Sequence, residues 1–234
     1  MKKAKISKKA KISEIFLSIQ GEGLYTGVPQ LFIRFYGCNL SCIFCDTNFD
    51  SCRIFTPDTL MDEIAQSKGP YHSISLTGGE PLLQADFIRD FLGKYKKSYK
   101  KLVYLETNGT LYRELSKVID YMDIIAMDFK VPSSTRRASF WKEHEKFLKI
   151  AKRKKTFIKA VITRKTSSGD ILRMVEITQK INKDIPIILQ PVTASIDAKK
   201  PSAENLEHFR DILKKSTGRA AEVVPQIHKI LGAR

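Results

Sequence analysis

Two hydrophobic rhythms alternate along the chain. Short runs rich in Val, Ile and Phe with a period of two fall at residues 31–37, 73–77, 102–107, 124–130, 157–162 and 185–190, and read as strands. Further strands are expected at 12–19 and 222–227. Between them a period near 3.6 predicts helices over 57–66, 82–95, 111–119, 140–152, 171–181 and 203–215. Thr56 before Pro57, and Asp170 before Ile171, are expected helix starts. Strands and helices in alternation mean an α/β fold with a parallel sheet, and right-handed crossovers put the helices on one side of a curling sheet. A complete eightfold barrel usually takes ~250 residues. Six units in 234 residues therefore predict a partial, open (β/α)6 TIM-like barrel with a reduced core, with a doubly wound sheet as its competitor.

The parity of these strands carries chemistry, because successive side chains point to opposite faces. Arg34 shares a face with Phe32, Tyr36 and Cys38, and Ser73, Ser75 and Thr77 share one against Ile74 and Leu76. Tyr104, Glu106 and Asn108 then fall together, as do Ala126, Asp128 and Lys130, then Phe157, Lys159 and Val161, then Ile188 and Gln190. Each strand thus offers one apolar face for helices and one face whose polar groups come mostly late. A buried polar group costs ~1–3 kcal/mol unless paired. Convergence of such groups on one lumen points to a polar ligand at the C-terminal ends of the strands.

Apolar residues make up 42% of the chain and charged residues 28%, which suits a packed core rather than global disorder. No apolar run is long enough to span a bilayer, and the lysine-rich start lacks the apolar stretch of a signal peptide. The formal net charge is +16. Residues 1–11 are expected to form a basic flexible arm, and residues 12–234 a single domain. The charge reads either as a footprint for RNA or anionic small molecules or as an ordinary solvated surface.

Three of the four cysteines crowd into Cys38-Asn39-Leu40-Ser41-Cys42-Ile43-Phe44-Cys45, just after the strand at 31–37. So few cysteines exclude a disulfide scaffold, and such crowding reads as metal or cluster ligation in a reducing cytosol. Three thiolates on a tight loop suit three irons of a cubane and leave the fourth corner open. Zinc with Cys52 as fourth ligand is the alternative, although structural zinc sites usually pair two close ligands with a distant second pair.

The C-x3-C-x-aromatic-C pattern resembles the signature of radical S-adenosylmethionine enzymes, and Thr77-Gly78-Gly79-Glu80-Pro81 resembles that family's GGEP motif. Ser18-Ile19-Gln20-Gly21-Glu22-Gly23, Asp46-Thr47 and Gln226-Ile227-His228-Lys229 are similar to segments of the 7-carboxy-7-deazaguanine synthases, over nearly the whole chain from Ile12. This resemblance implies a compact homodimer on a reduced radical-enzyme barrel. The implied reaction converts 6-carboxy-5,6,7,8-tetrahydropterin to 7-carboxy-7-deazaguanine with loss of ammonia, on the route to queuosine and related deazapurines. The implied cofactors are a [4Fe–4S] cluster, S-adenosylmethionine and Mg²⁺, with an electron donor such as a flavodoxin. Nucleic acid is not required, and the location is cytoplasmic.

By the same resemblance Cys38, Cys42 and Cys45 ligate the cluster, and Phe44, Asp46, Gly79, Glu80, Asn108, Ser133 and Gln190 contact S-adenosylmethionine. Thr47 ligates Mg²⁺, and Gln20, Gly21, Glu22, Arg34, Thr77, His228 and Arg234 bind the pterin. No general base stands out. Arg34 also reads as one half of an ion pair with Asp46 or Glu22. Two other functions fit parts of the chain: a glycyl-radical activase, which needs the cluster but no pterin loop, and a basic RNA-binding protein with a structural metal.

Overall fold

In the computed structural model, which describes residues 9–193 and 198–232, all nine strands join one sheet. The strands are β1 (Ala10–Ile19), β2 (Pro29–Phe35), β3 (Arg53–Phe55), β4 (Ser73–Gly78), β5 (Leu102–Thr107), β6 (Ile124–Asp128), β7 (Lys155–Ile162), β8 (Ile187–Pro191) and β9 (Glu222–Val223). The helices are α1 (Pro57–Ala65), α2 (Ala85–Ser98), α3 (Tyr112–Val118), α4 (Pro132–Thr135), α5 (Trp141–Ala151), α6 (Ser168–Ile181), α7 (Ala203–Thr217) and α8 (Ile227–Leu231).

The sheet order is β3-β1-β2-β4-β5-β6-β7-β8-β9. From β2 to β9 every pairing is parallel, while β1 runs antiparallel to both β2 and β3. Order rises steadily along the sheet from β1 to β9, with no reversal. A doubly wound sheet needs a switch point where the order reverses, so the competitor is excluded. Right-handed crossovers that all advance the same way keep the helices on one face. That face is the main core. Ile33, Leu76, Leu105, Ile125, Ile158 and Leu189, one parity of six successive strands, pack there with Phe87, Phe91, Leu115, Phe147 and Met174 of the helices. The opposite parity encloses the lumen of an open barrel whose edges are β3 and β9.

Some elements depart from expectation at their ends. β1 begins at Ala10, so Ala10 and Lys11 belong to the sheet rather than to the arm; residues 1–8 lie outside the described ones. The late strand is only Glu222–Val223, and Ile227 instead starts α8. α6 starts at Ser168 because the Ser167 hydroxyl accepts from the Asp170 amide at 3.2 Å, a serine cap that displaces the expected Asp170 start. Thr56 caps α1 in the same way, with Pro57 as first helical residue. The three-residue edge strand β3 is too short to carry a readable alternation.

Candidate active site

Behind β2 the chain turns at Gly37, whose φ of 91° favours glycine, and enters the cysteine loop. The Cys45 amide donates to the Cys42 carbonyl at 3.1 Å, and the Leu40 amide points at the Cys38 sulfur at 3.4 Å. The loop is tied to its surroundings on two sides. Asn39 donates to Thr110 at 2.9 Å, and Asn108 donates to Asn39 at 2.8 Å. On the other side the Ile43 amide donates to the Thr135 carbonyl at 3.4 Å, and the Arg137 guanidinium donates to the Ser41 carbonyl. Burial raises the pKa of the Cys38 and Cys42 thiols.

The glycine pair after β4 lies directly against this loop. A β-carbon on Gly78 would sit 2.2 Å from the Phe35 carbonyl oxygen, and one on Gly79 would sit 2.3 Å from that of Gly37. Two bare backbones therefore touch, and the Glu80 amide donates to the Gly37 carbonyl at 2.9 Å. The Glu80 carboxylate itself is fully buried and turned away from the cavity. It accepts from the Asn108 amide at 2.7 Å, the Leu82 amide at 3.1 Å and the Thr107 hydroxyl at 2.9 and 3.0 Å. Burial pushes its pKa up to about 7 against those hydrogen bonds. Glu80 thus braces the β4 and β5 ends rather than offering an oxygen to a ligand.

The cavity enclosed here measures about 550 Å³. At its upper end lie Cys38, Cys42, Cys45, Phe44, Asp46, Thr47, Gly79, Asn108 and Gln190; Gln20, Gly21, Glu22, Arg34 and Thr77 also line it. Residues 20–22 reach the cavity from an unexpected side. β1 runs opposite to the parallel strands, so its end lies beside the start of β2, and the loop crosses the lumen floor. Tyr25 plugs that floor against Tyr104 and Phe157, with ring centroids 5.5 and 6.3 Å away.

Gln20 spans the lumen from there. Its amide nitrogen donates to Glu106 at 2.6 Å and to Gln30 at 3.1 Å, and its oxygen accepts from the Glu22 amide at 3.1 Å. Thr77 donates to the other oxygen of Glu106 at 2.9 Å. Glu22 pairs with Lys159, and its second oxygen accepts from Gln226 at 2.7 Å. Gln226 in turn accepts from the Thr193 hydroxyl at 2.5 Å, and the Ile227 amide donates to the Gly21 carbonyl at 2.9 Å. Lys229 of α8 pairs with Asp46. The C-terminal segment therefore straps the floor loop to the cysteine loop. The His228 side chain and Arg234 lie outside the described residues.

Two expected contacts fall elsewhere. Arg34 pairs with Glu14 of β1 at 2.8 Å, not with Asp46 or Glu22, because Glu14 is its cross-strand neighbour. Ser133 is not among the cavity-lining residues: the α4 turn directs its hydroxyl to accept from the Ser167 amide at 3.0 Å.

Residues 32–185 match the profile of the Radical SAM superfamily. The chain is 37% identical to the 7-carboxy-7-deazaguanine synthase of Geobacter sulfurreducens, over 95% of this chain and 97% of that one. It is 36% identical to the synthase of Archaeoglobus fulgidus, over 97% of this chain and all of the other. The chain belongs to the 7-carboxy-7-deazaguanine synthase family of radical SAM enzymes. The fold agrees with the crystal structure of QueE from Escherichia coli, with a TM-score of 0.66 over 94% of this chain and 95% of that one at 19% identity. Neither the activase nor the RNA-binding alternative is favoured by these relatives.

Membership in the radical SAM family implies a [4Fe–4S] cluster and S-adenosylmethionine, and the residues present fit both. Three thiols share one end of the cavity, each with an accessible sulfur-bearing residue on one loop. The Oε1 of Gln190 and Oδ1 of Asp128 are buried lining acceptors with no hydrogen-bond partner, and Gly78 and Gly79 line the same cavity. Cys52 does not line the cavity.

Several charged residues of the lumen were not singled out by any motif. Glu106, Asp128, Lys130 and Lys159 all lie on the inward parity, and all line the cavity. Lys130 pairs with Asp128 at 2.7 Å and stands 5.2 Å from the centroid of the Phe44 ring. Strand alternation alone is the signal that finds them. No helix among the described residues is long and apolar enough to cross a membrane.

Proposed function

We propose that this enzyme is a carbon–nitrogen lyase that contracts the ring of 6-carboxy-5,6,7,8-tetrahydropterin to 7-carboxy-7-deazaguanine and releases ammonia, on the route to queuosine or a related deazapurine. One observation carries the reading. The pterin-loop residues Gln20 and Glu22 and the C-terminal Gln226 meet in the same cavity as the three cluster cysteines. A generic radical enzyme has no need of that floor loop.

The cluster and S-adenosylmethionine supply a one-electron source and a hydrogen-abstracting radical. The chain's own groups bind, orient and exclude water. Cys38, Cys42 and Cys45 hold the cluster. The peptide edge at Gly79, braced from behind by Glu80, receives the methionine amine. Asn108, Gln190 and Phe44 flank the ribose and adenine, with Ser133 supporting them from the α4 turn and Asp46 at the rim. Glu22 accepts the ring N–H and exocyclic amine of the pterin, and Gln20 and Gly21 fix that loop. Thr77 donates at the strand end. Arg34 serves the substrate carboxylate from beside Glu14. His228 and Arg234 close the tail over the pterin.

Mg²⁺ is the third cofactor of this reading, and Thr47 is its residue from this chain. A neutral hydroxyl is a poor ligand alone, so the substrate carboxylate and water complete the shell. Metal binding is accordingly weak without substrate. A homodimer, a flavodoxin-type electron donor, a cytoplasmic location, a basic arm ending before Ala10 and no need for nucleic acid complete the proposal, supported by the family resemblance.

The test is anaerobic reconstitution with iron and sulfide, followed by reductant, S-adenosylmethionine, Mg²⁺ and the pterin. A deazapurine carboxylic acid and ammonia in equal amounts support the reading. Cofactor cleavage without either product refutes it.

A further inference from the structure

Lys159 occupies an unusual electrostatic position. It projects from β7 into the lumen, and its side chain is only 11% exposed. Its ammonium pairs with Glu22 and stands 3.9 Å from Asp128, whose same oxygen Lys130 holds at 2.7 Å. Burial alone would lower its pKa, but the Glu22, Asp128 and Glu106 carboxylates outweigh burial and raise it above the ordinary lysine range. Lys159 is thus a permanent cation at working pH, unsuited to proton transfer.

A buried ion pair is weak evidence for stability, since an apolar replacement often serves as well. Its geometry explains it better. Glu22 has one oxygen on Lys159 and the other on Gln226. The carboxylate plane is therefore fixed at both oxygens. Two residues earlier on the same strand, the Phe157 ring lies 2.6 Å from where a Gly23 β-carbon would be. The floor loop is seated on β7 at both points.

We propose that Lys159 is the positioning residue of the substrate site: it holds the Glu22 carboxylate in place, ready to accept the two adjacent N–H donors of a heterocyclic amidine edge. This inference rests on the pterin reading above. Among the described residues, the charged and titratable groups packed about the Lys159–Glu22 pair include Asp128 of β6, Glu106 and Tyr104 of β5, and Tyr25 of the floor loop. Loss of Lys159 removes the ion pair that fixes one oxygen of Glu22.

The experiment compares wild type, Lys159→Met, Lys159→Arg, Glu22→Gln and the double variant Lys159→Met/Glu22→Gln as reconstituted enzymes, with cluster absorbance and Tm as fold controls. Pterin KM and kcat are measured for each. Lys159→Met should raise KM at least about tenfold, or 1.4 kcal/mol, with kcat within about threefold. Lys159→Arg should bring KM back to within about threefold of wild type. The double variant should be no worse than Glu22→Gln alone. A Lys159→Met KM within about twofold of wild type, or a fall in kcat as large as the rise in KM, overturns the inference. If that variant fails to fold, the double variant and Lys159→Arg decide: a double variant much worse than Glu22→Gln, or an arginine variant with KM raised about tenfold, overturns it. A wild-type enzyme that makes no deazapurine overturns the pterin reading, and this inference with it.

Discussion

Replacing Gly79 with alanine would put a methyl group 2.3 Å from the Gly37 carbonyl oxygen, 2.7 Å from its carbonyl carbon and 2.7 Å from the Phe49 ring. Phe49 could swing aside, but the carbonyl belongs to the backbone that launches the cysteine loop. Relief requires the two turns to separate, which breaks the 2.9 Å hydrogen bond from the Glu80 amide to Gly37. Overpacking of this kind costs about 1–3 kcal/mol, and the lost hydrogen bond costs about 0.5–1.5 kcal/mol more. A total of roughly 1.5–4.5 kcal/mol, at about 2–4 °C per kcal/mol for a chain of this size, lowers Tm by about 3–18 °C. The displaced peptide edge should also weaken S-adenosylmethionine binding at least about tenfold. Anaerobic thermal melts and equilibrium binding of the cofactor to the reconstituted protein measure both. Adding Phe49→Ala should not rescue the variant, because the principal obstacle is main chain. A Tm within about 1 °C of wild type together with unchanged cofactor affinity would refute the contact between the two turns.

Other outcomes follow from the same geometry. Cys42→Ala should abolish the visible absorbance of the reconstituted cluster, while Cys52→Ala keeps it, as iron and sulfide analysis will check. His144 is fully buried, its Nε2–H donates to the Asn108 carbonyl at 3.1 Å, and burial pulls its pKa down from 6.5 to about 4. The unfolded chain therefore takes up the proton first, and the His144 contribution to stability falls by about 3 kcal/mol as pH drops from 6.5 toward 4, opposed in the same range by Glu80, whose raised pKa stabilises the fold at low pH. Denaturant unfolding of wild type and His144→Gln at several pH values should show this as a difference, wild type minus variant, that falls toward acid. Thr47→Ala should raise the Mg²⁺ concentration needed for half-maximal turnover several-fold, read directly from a magnesium titration at saturating pterin.

The alternation of side chains was the most informative feature of the sequence. Ser73, Ser75, Thr77, Glu106, Asn108, Asp128, Lys159 and Gln190 all fall on the inward face it assigned, because the pleat leaves them no other side. The glycine motif was equally legible, since only bare backbones allow β4 and the cysteine loop to touch. What alternation cannot supply is the partner of each polar group. Arg34 finds Glu14 across an antiparallel pair, and that pairing depends on register. Glu80 turns away from the cavity to Thr107 and Asn108 because two strand ends there need an acceptor. The floor position of residues 20–22 follows from β1 being antiparallel, a fact no local pattern carries. Lys159 went unassigned because a lysine on a strand looks ordinary until its neighbours are known.

The most direct test of the account is a structure of the reconstituted enzyme with S-adenosylmethionine and the pterin bound. The account predicts the cluster on Cys38, Cys42 and Cys45, the methionine end of the cofactor against Gly79, and the amine edge of the pterin on Glu22 with Lys159 behind it. A pterin bound with that edge away from Glu22, or outside the cavity shared with the cysteines, would contradict it.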